Sequence, residues 1–201
     1  RLAAIMQDTQ SVFETDQIRP LIDLGEELSG KRYGETFDVD RALRILADHT
    51  RGMSFLIADG VVPSNEDRGY VLRRIIRRAV RFAQLAGAER TVTPQLVGDC
   101  IDAMVDGYPE LRANADRITG TILREEEAFR RTLKRGAVLL EQKLADIPAG
   151  GTLPGDVAFD LYETYGFPLE VTQEITAELG IEVDDAGYRA ALAKAQETSK
   201  A

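Results

Sequence analysis

The run from Arg68 to Leu85 constrains this chain more than any other segment, because helical winding sorts its residues by chemistry. At roughly 100° per residue, Val71, Leu72, Ile75, Ile76, Ala79, Phe82 and Ala83 fall within one arc of about 140°. Arg73, Arg74, Arg77, Arg78 and Arg81 occupy the opposite arc, with no acid among them. The apolar arc predicts anchoring on a core, so that the arginines stand on a rigid element. Pairs four apart, such as Arg73–Arg77 and Arg77–Arg81, repel by about a few tenths of a kcal/mol each. A polyanion would offset that cost, and the planar guanidinium donates two parallel hydrogen bonds to a phosphate where lysine does not. A second reading stands beside this one: a helical protein-interaction module whose arginine face meets an acidic partner or the chain's own acids. Glu35, Asp38, Asp40 and the acidic C-terminal part are available for that role.

Charge distribution sharpens the point. From Arg68 to Arg90 there are seven arginines and one acid, Glu89, a local balance of +6 in a chain of net charge −9, so the other residues together carry −15. An acidic body with one basic stripe repels polyanions everywhere except at that stripe. Other bulk properties exclude several classes. At 201 residues and 44% hydrophobic content the chain can hold one ordinary domain or two small ones and bury a core. No window approaches the ~18 consecutive apolar residues of a membrane span, so no membrane partner is expected. Cys100 is the one cysteine, which leaves no disulfide framework and no cysteine-built zinc site. The opening Arg1-Leu2-Ala3-Ala4-Ile5-Met6 lacks signal-peptide features and reads as the middle of a helix. It predicts an excised piece of a longer, cytoplasmic protein.

Strand alternation is scarce and helical spacing prevails, so the predicted fold is all-α, with two packed helical subdomains. Helices are expected over 2–7, 18–28, 68–85, 94–104, 155–165, 168–179 and 184–197. Another runs to about Asp59, with Asp38 or Asp40 able to cap it by accepting a backbone N–H bond. The longest begins at Glu110 or Asp116 and reaches Ala145; in it Glu126 and Glu127 precede Arg130 and Arg131 by four residues, the favourable pairing order. Gly60 and Gly87 supply stops. Ile147-Pro148-Ala149-Gly150-Gly151 is the clearest boundary, dividing a larger subdomain, 1–147, from a small C-terminal one, 148–201.

Pro63-Ser64-Asn65-Glu66-Asp67 is a turn with helix-start chemistry. Asn65 has two readings: a cap or turn residue, or an exposed amide offering donor and acceptor to a base edge. The segment Leu161 to Pro168 is dense in aromatics for a chain with seven Phe and six Tyr. There Gly166 ends one helix and Pro168 starts the next, Tyr162, Tyr165 and Phe167 are expected in the small subdomain's core, and Glu163 projects outward. His49 shares an apolar arc with Leu46, Met53, Leu56 and Ile57, which points to a packed, hydrogen-bonded histidine and not a ligand.

Together, Ala47-Asp48-His49-Thr50-Arg51, Leu56-Ile57-Ala58-Asp59-Gly60 and the unbroken run from Pro63 to Arg81 resemble the central signature of the alanyl-tRNA synthetases, a class II family. Glu125-Glu126-Glu127-Ala128-Phe129 and Leu161 to Pro168 follow in the family's order and at similar spacing. The resemblance covers essentially the whole chain. Arg1 to Gln7 is similar to the tail of class II motif 3, where an arginine contacts ATP, and Phe13-Glu14-Thr15-Asp16 resembles the family's YDTD. Residues 1–16 therefore correspond to the end of the catalytic domain, with Arg1 its one remaining ATP-contact residue. Motifs 1 and 2, the strand half of motif 3, and the zinc-binding editing domain have no counterpart in this sequence.

The resemblance implies the tRNA-recognition part of an alanine–tRNA ligase, which would not aminoacylate alone. ATP and Mg would act in the parent's catalytic domain and zinc only in its editing domain, so no cofactor or metal is expected here. The implied partners are the acceptor stem of the alanine tRNA and the catalytic domain of the parent chain. The family's PSN-loop asparagine falls on Asn65. Its aspartate in LYDTYGFP falls on Glu163, a departure that keeps the carboxylate and adds a methylene. These two would read the G·U wobble pair, third in the acceptor stem. Its guanine 2-amino group lacks its normal partner and donates to a carboxylate or amide oxygen, which an A·U pair cannot match. Arg73, Arg74, Arg77, Arg78 and Arg81 would follow the phosphates and set register without reading sequence.

Overall fold

The computed structural model describes residues 1–198, and nearly all of its regular structure is helical, in agreement with the all-α expectation. Two compact units divide the chain, Arg1–Phe129 and the residues from Arg130 on. The first holds α1 (Leu2–Met6), a 3-10 turn (Val12–Glu14), α2 (Arg19–Ser29), α3 (Phe37–Ala58), α4 (Asp67–Leu85), α5 (Thr93–Met104), α6 (Pro109–Ala113) and the first half of α7 (Ala115–Leu144). Helix α3 is central and packs against α2, α4, α5 and α6. Leu43, Met53 and Ile57 of α3 are buried, as are Leu21 and Ile22 of α2, Leu72 and Ile76 of α4, Leu96 of α5 and Phe129 of α7. Each such side chain contributes roughly 1.5–3 kcal/mol relative to exposure.

The helix starts correct the sequence reading in detail. Thr36, and neither Asp38 nor Asp40, caps α3: its hydroxyl accepts from the Val39 N–H at 3.2 Å. Both aspartates sit inside the first turn, where negative charge suits the helix dipole, and Asp40 accepts from the Gly34 N–H at 2.6 Å. Of the two starts offered for the long helix the structure takes the later, within a residue of Asp116: the chain breaks at Asn114, whose amide donates to the Glu110 carbonyl at 2.8 Å, so α6 and α7 are separate.

The second unit contains the rest of α7, β1 (Thr152–Leu153), α8 (Gly155–Tyr165), α9 (Leu169–Glu178), β2 (Glu182–Val183) and α10 (Asp185–Thr198). The strands pair in parallel, Thr152 with Glu182 and Leu153 with Val183, a bridge too short to show alternation in the sequence. The division between units falls within α7, and the Pro148–Gly151 stretch is the turn that follows that helix, with Gly150 at φ 82°. Phe167 is fully buried against the backbone of α7, where a Cβ on Gly136 would lie 2.2 Å from its ring. Tyr162 is half-buried, its ring centroid 6.0 Å from that of Tyr188 and 6.4 Å from that of Phe159. Tyr165 does not join this core. It is 37% exposed, because the helix ends one residue later at the left-handed Gly166 and leaves that face to solvent. Among the described residues no helix is long and apolar enough to cross a membrane, and no cluster of three His, Cys, Asp or Glu is placed to hold a metal ion.

Candidate nucleic-acid interface

The loop before α4 is held flush to the helix by the absence of a side chain. At Gly69 a Cβ would lie 2.2 Å from the Ser64 hydroxyl oxygen and 2.5 Å from the Val62 carbonyl oxygen, so only glycine permits this approach. Ser64 adds its own turn, its hydroxyl donating to the Glu66 carbonyl at 2.8 Å and accepting from the Glu66 N–H at 3.3 Å. Asp67 opens the helix at φ 48°, a left-handed conformation that costs a non-glycine residue about 1 kcal/mol or more. Asn65 stands exposed on this loop. It is not the cap; Glu66 occupies that position and makes no side-chain cap bond. The Asn65 amide oxygen instead accepts a hydrogen bond from Nη1 of Arg73.

The five arginines expected on the outer face of α4 have different surroundings. Arg73 Nε lies 3.3 Å from Oε1 of Glu125, and Arg77 Nε donates to the same oxygen at 2.8 Å. Arg77 also stacks over Phe129 at 5.3 Å. Glu125, on α7, has only 11% of its side chain exposed. Arg74 is exposed, 6.0 Å from the Tyr70 ring, and Arg78 is half-buried, 5.6 Å from the Phe82 ring. Arg81 is buried, with 4% exposure, at 5.6 Å from the same ring. The expectation of five arginines on one outer face therefore needs correcting. Ala79, Val80, Arg81, Phe82 and Ala83 are all buried, so α4 is enclosed on every side over that turn, while Leu85 at its end is 53% exposed and Val71 in the predicted apolar arc is 41% exposed.

Glu163 lies on α8 and is exposed beside a shallow groove that Phe159, Ala191 and Lys194 also line. It belongs to the second unit and Asn65 to the first. Arg1 is exposed ahead of α1. His49 is mostly buried and pairs with the neighbouring Asp48 at 3.1 Å, the packed role expected of it.

Two acids on α7 were visible in the sequence, but what they do was missed there. Glu126 is fully buried and holds the start of α5, accepting from the Val92 N–H at 3.2 Å, the Thr93 N–H at 3.0 Å and the Thr93 hydroxyl at 2.5 Å. Its neighbour Glu125 gathers Arg73 and Arg77. The available signal was position: Glu126 follows the buried Ile118 and Ile122 by eight and four residues, so it shares the core-facing stripe of the helix. An acid there must find donors. Burial also pushes the Cys100 thiol up to about 11, against smaller opposing effects of a Ser54 hydrogen bond and of Arg51.

Residues 1–201 match the family model of class II (A) tRNA synthetases from end to end, and the chain belongs to that family. The curated proteins it resembles are alanine–tRNA ligases. It is 47% identical to that of Frankia alni over 203 residues, covering 100% of this chain and 23% of the relative. It is 46% identical to that of Acidithiobacillus ferridurans, covering 96% and 22%. For Geobacillus kaustophilus the identity is 44%, with 100% and 23% covered. The chain thus spans less than a quarter of the length of these relatives.

Proposed function

We propose that this chain is the part of an alanine–tRNA ligase that grips the acceptor stem of the alanine tRNA and selects its G·U pair. The observation that carries the reading is Asn65: an exposed amide on a loop that Gly69 fastens to a buried helix, with arginines following it. A recognition group needs that combination of exposure and fixed position. Glu163, exposed on α8, supplies a carboxylate to accept from the guanine 2-amino group, and Arg74 is the exposed member of the five arginines and the one offered to a phosphate. Attachment of alanine, with ATP and Mg, belongs to the catalytic domain of the parent chain, and zinc to its editing domain. That catalytic domain would cover α1, where Leu2, Ile5 and Met6 lie at helical spacing and are 72%, 75% and 78% exposed.

The test is binding to a short acceptor-stem hairpin carrying G·U, against the same hairpin carrying G·C. One unmatched polar group costs about 1–3 kcal/mol, which gives roughly a 5- to 150-fold preference. The Glu163→Ala variant should reduce that preference. Equal affinity for the two hairpins would overturn the specificity part of the reading.

A further inference from the structure

Arg73 stands between a carboxylate and an amide. Its Nε lies 3.3 Å from Glu125, and its Nη1 donates to the side chain of Asn65. A guanidinium has donors only, so the amide atom turned toward it must be the oxygen. The amide NH2 of Asn65 is then the group left for a partner. Glu125 is itself fixed, because it is mostly buried and accepts from Arg77 at 2.8 Å while Arg77 stacks on Phe129.

We infer that Glu125 is a positioning residue for RNA recognition: by holding Arg73 it locks Asn65 so that the loop offers RNA a hydrogen-bond donor and not an acceptor. The inference rests on the acceptor-stem reading above and assigns a chemistry within it. A donor in the minor groove finds pyrimidine O2, purine N3 or a ribose 2′-oxygen. Recognition of the guanine 2-amino group then falls to the carboxylate of Glu163 alone. Asn65 would sense where the acceptor lies, which a wobble pair displaces.

The locking is measurable without RNA. The chain has two asparagines, Asn65 and Asn114, so labelling asparagine alone with 15N leaves two side-chain amide pairs to assign in the NMR spectrum, and Asn114 is an internal control. In Glu125→Ala and in Arg73→Lys the Asn65 pair should move to the position of a free amide, while the Asn114 pair and the helical circular dichroism stay unchanged. Glu125→Gln, which keeps an acceptor, should move it only part of the way. An Asn65 pair unmoved in Glu125→Ala overturns the inference.

Hairpin binding tests the use of the donor. Asn65→Ala should cost about tenfold in the wild-type background and under about twofold in Glu125→Ala, the coupling expected of residues linked through Arg73 by an ion pair on one side and a hydrogen bond on the other. Asn65→Asp, acceptor-only and of equal size, should bind as poorly as Asn65→Ala. On a hairpin with inosine for the guanine, which lacks the 2-amino group, the cost of Glu163→Ala should vanish and that of Asn65→Ala persist. Wild-type affinity in Asn65→Asp, or an equal Asn65→Ala cost in both backgrounds, rejects the positioning role. If the wild-type chain binds neither G·U nor inosine hairpins, the acceptor-stem reading falls, and the donor assignment falls with it; the amide spectrum then still separates that failure from failure of the lock.

Discussion

Glu126 and Asp99 are both carboxylates of the first unit, one fully buried and the other exposed. Glu126 accepts from two backbone N–H groups and a hydroxyl at the start of α5, where the helix dipole also favours negative charge. Glu126→Ala strands those N–H groups in the interior and should cost about 2–4 kcal/mol in urea unfolding. Glu126→Gln, which keeps one acceptor, should cost less. Asp99 has its pKa raised, first by burial and then by the charges of Asp102 and Glu27. The folded chain therefore holds that proton more tightly than the unfolded one. Its contribution is most favourable below the ordinary carboxylate value of 3.8 and is lost as pH rises from there through the raised value. Asp99→Asn should remove that dependence and, because solvent screens an exposed carboxylate, raise stability at neutral pH by well under about 1 kcal/mol. Cys100 follows the same rule, with a thiol at about 11 instead of 9.0. At pH 8 its thiolate is about a hundredfold scarcer than that of an ordinary cysteine, so a disulfide reagent should label the native chain slowly and the urea-unfolded chain fast.

Helix α4 shows what periodicity encodes and what it omits. The wheel groups Leu72, Ile76, Ala79, Phe82 and Ala83 together, and all five are buried, because the spacing of apolar residues records which side meets a core. It does not record depth. Arg81 lies inside because the turn from Ala79 to Ala83 is buried all round, and no local pattern carries that information. The same limit applies to the site. Exposure of Asn65 and Glu163 was legible from a polar turn and a helix face, whereas the Glu125–Arg73–Asn65 chain joins residues up to 60 positions apart and exists only once α7 is packed. Gly69 had a local signal, a glycine in the first turn of a helix, where it weakens the helix unless something needs the space. Gly69→Ala puts a methyl against the Val62 carbonyl oxygen, which cannot swing aside as a side chain would. The substitution should cost about 1–3 kcal/mol in thermal unfolding and shift the Asn65 amide signals as the loop lifts.

For the whole chain, a net charge of −9 would make the proposed RNA binding a contest between a local cationic patch and a repelling body. Five arginines meeting five phosphates would give a salt slope of roughly −4 to −5 in a plot of log affinity against log salt. The folded molecule has fewer cations to spend. Arg81 is buried, and Arg73 and Arg77 already share Glu125, so a phosphate that approaches them meets charge that is partly neutralised. The expected slope is on the order of −2, about a fifteenfold loss of affinity between 50 and 200 mM salt, against the several-hundredfold loss that five contacts would give. Hairpin titrations at four or five salt concentrations measure it directly. Glu125→Ala provides the counter-test. Removing that carboxylate frees Arg73 and Arg77 for the RNA backbone, so the slope should steepen by about one to two even as the dependence on Asn65 is lost. A variant with an unchanged slope would mean that RNA already draws both arginines away from Glu125, and the carboxylate would then be a placeholder for phosphate in the free chain.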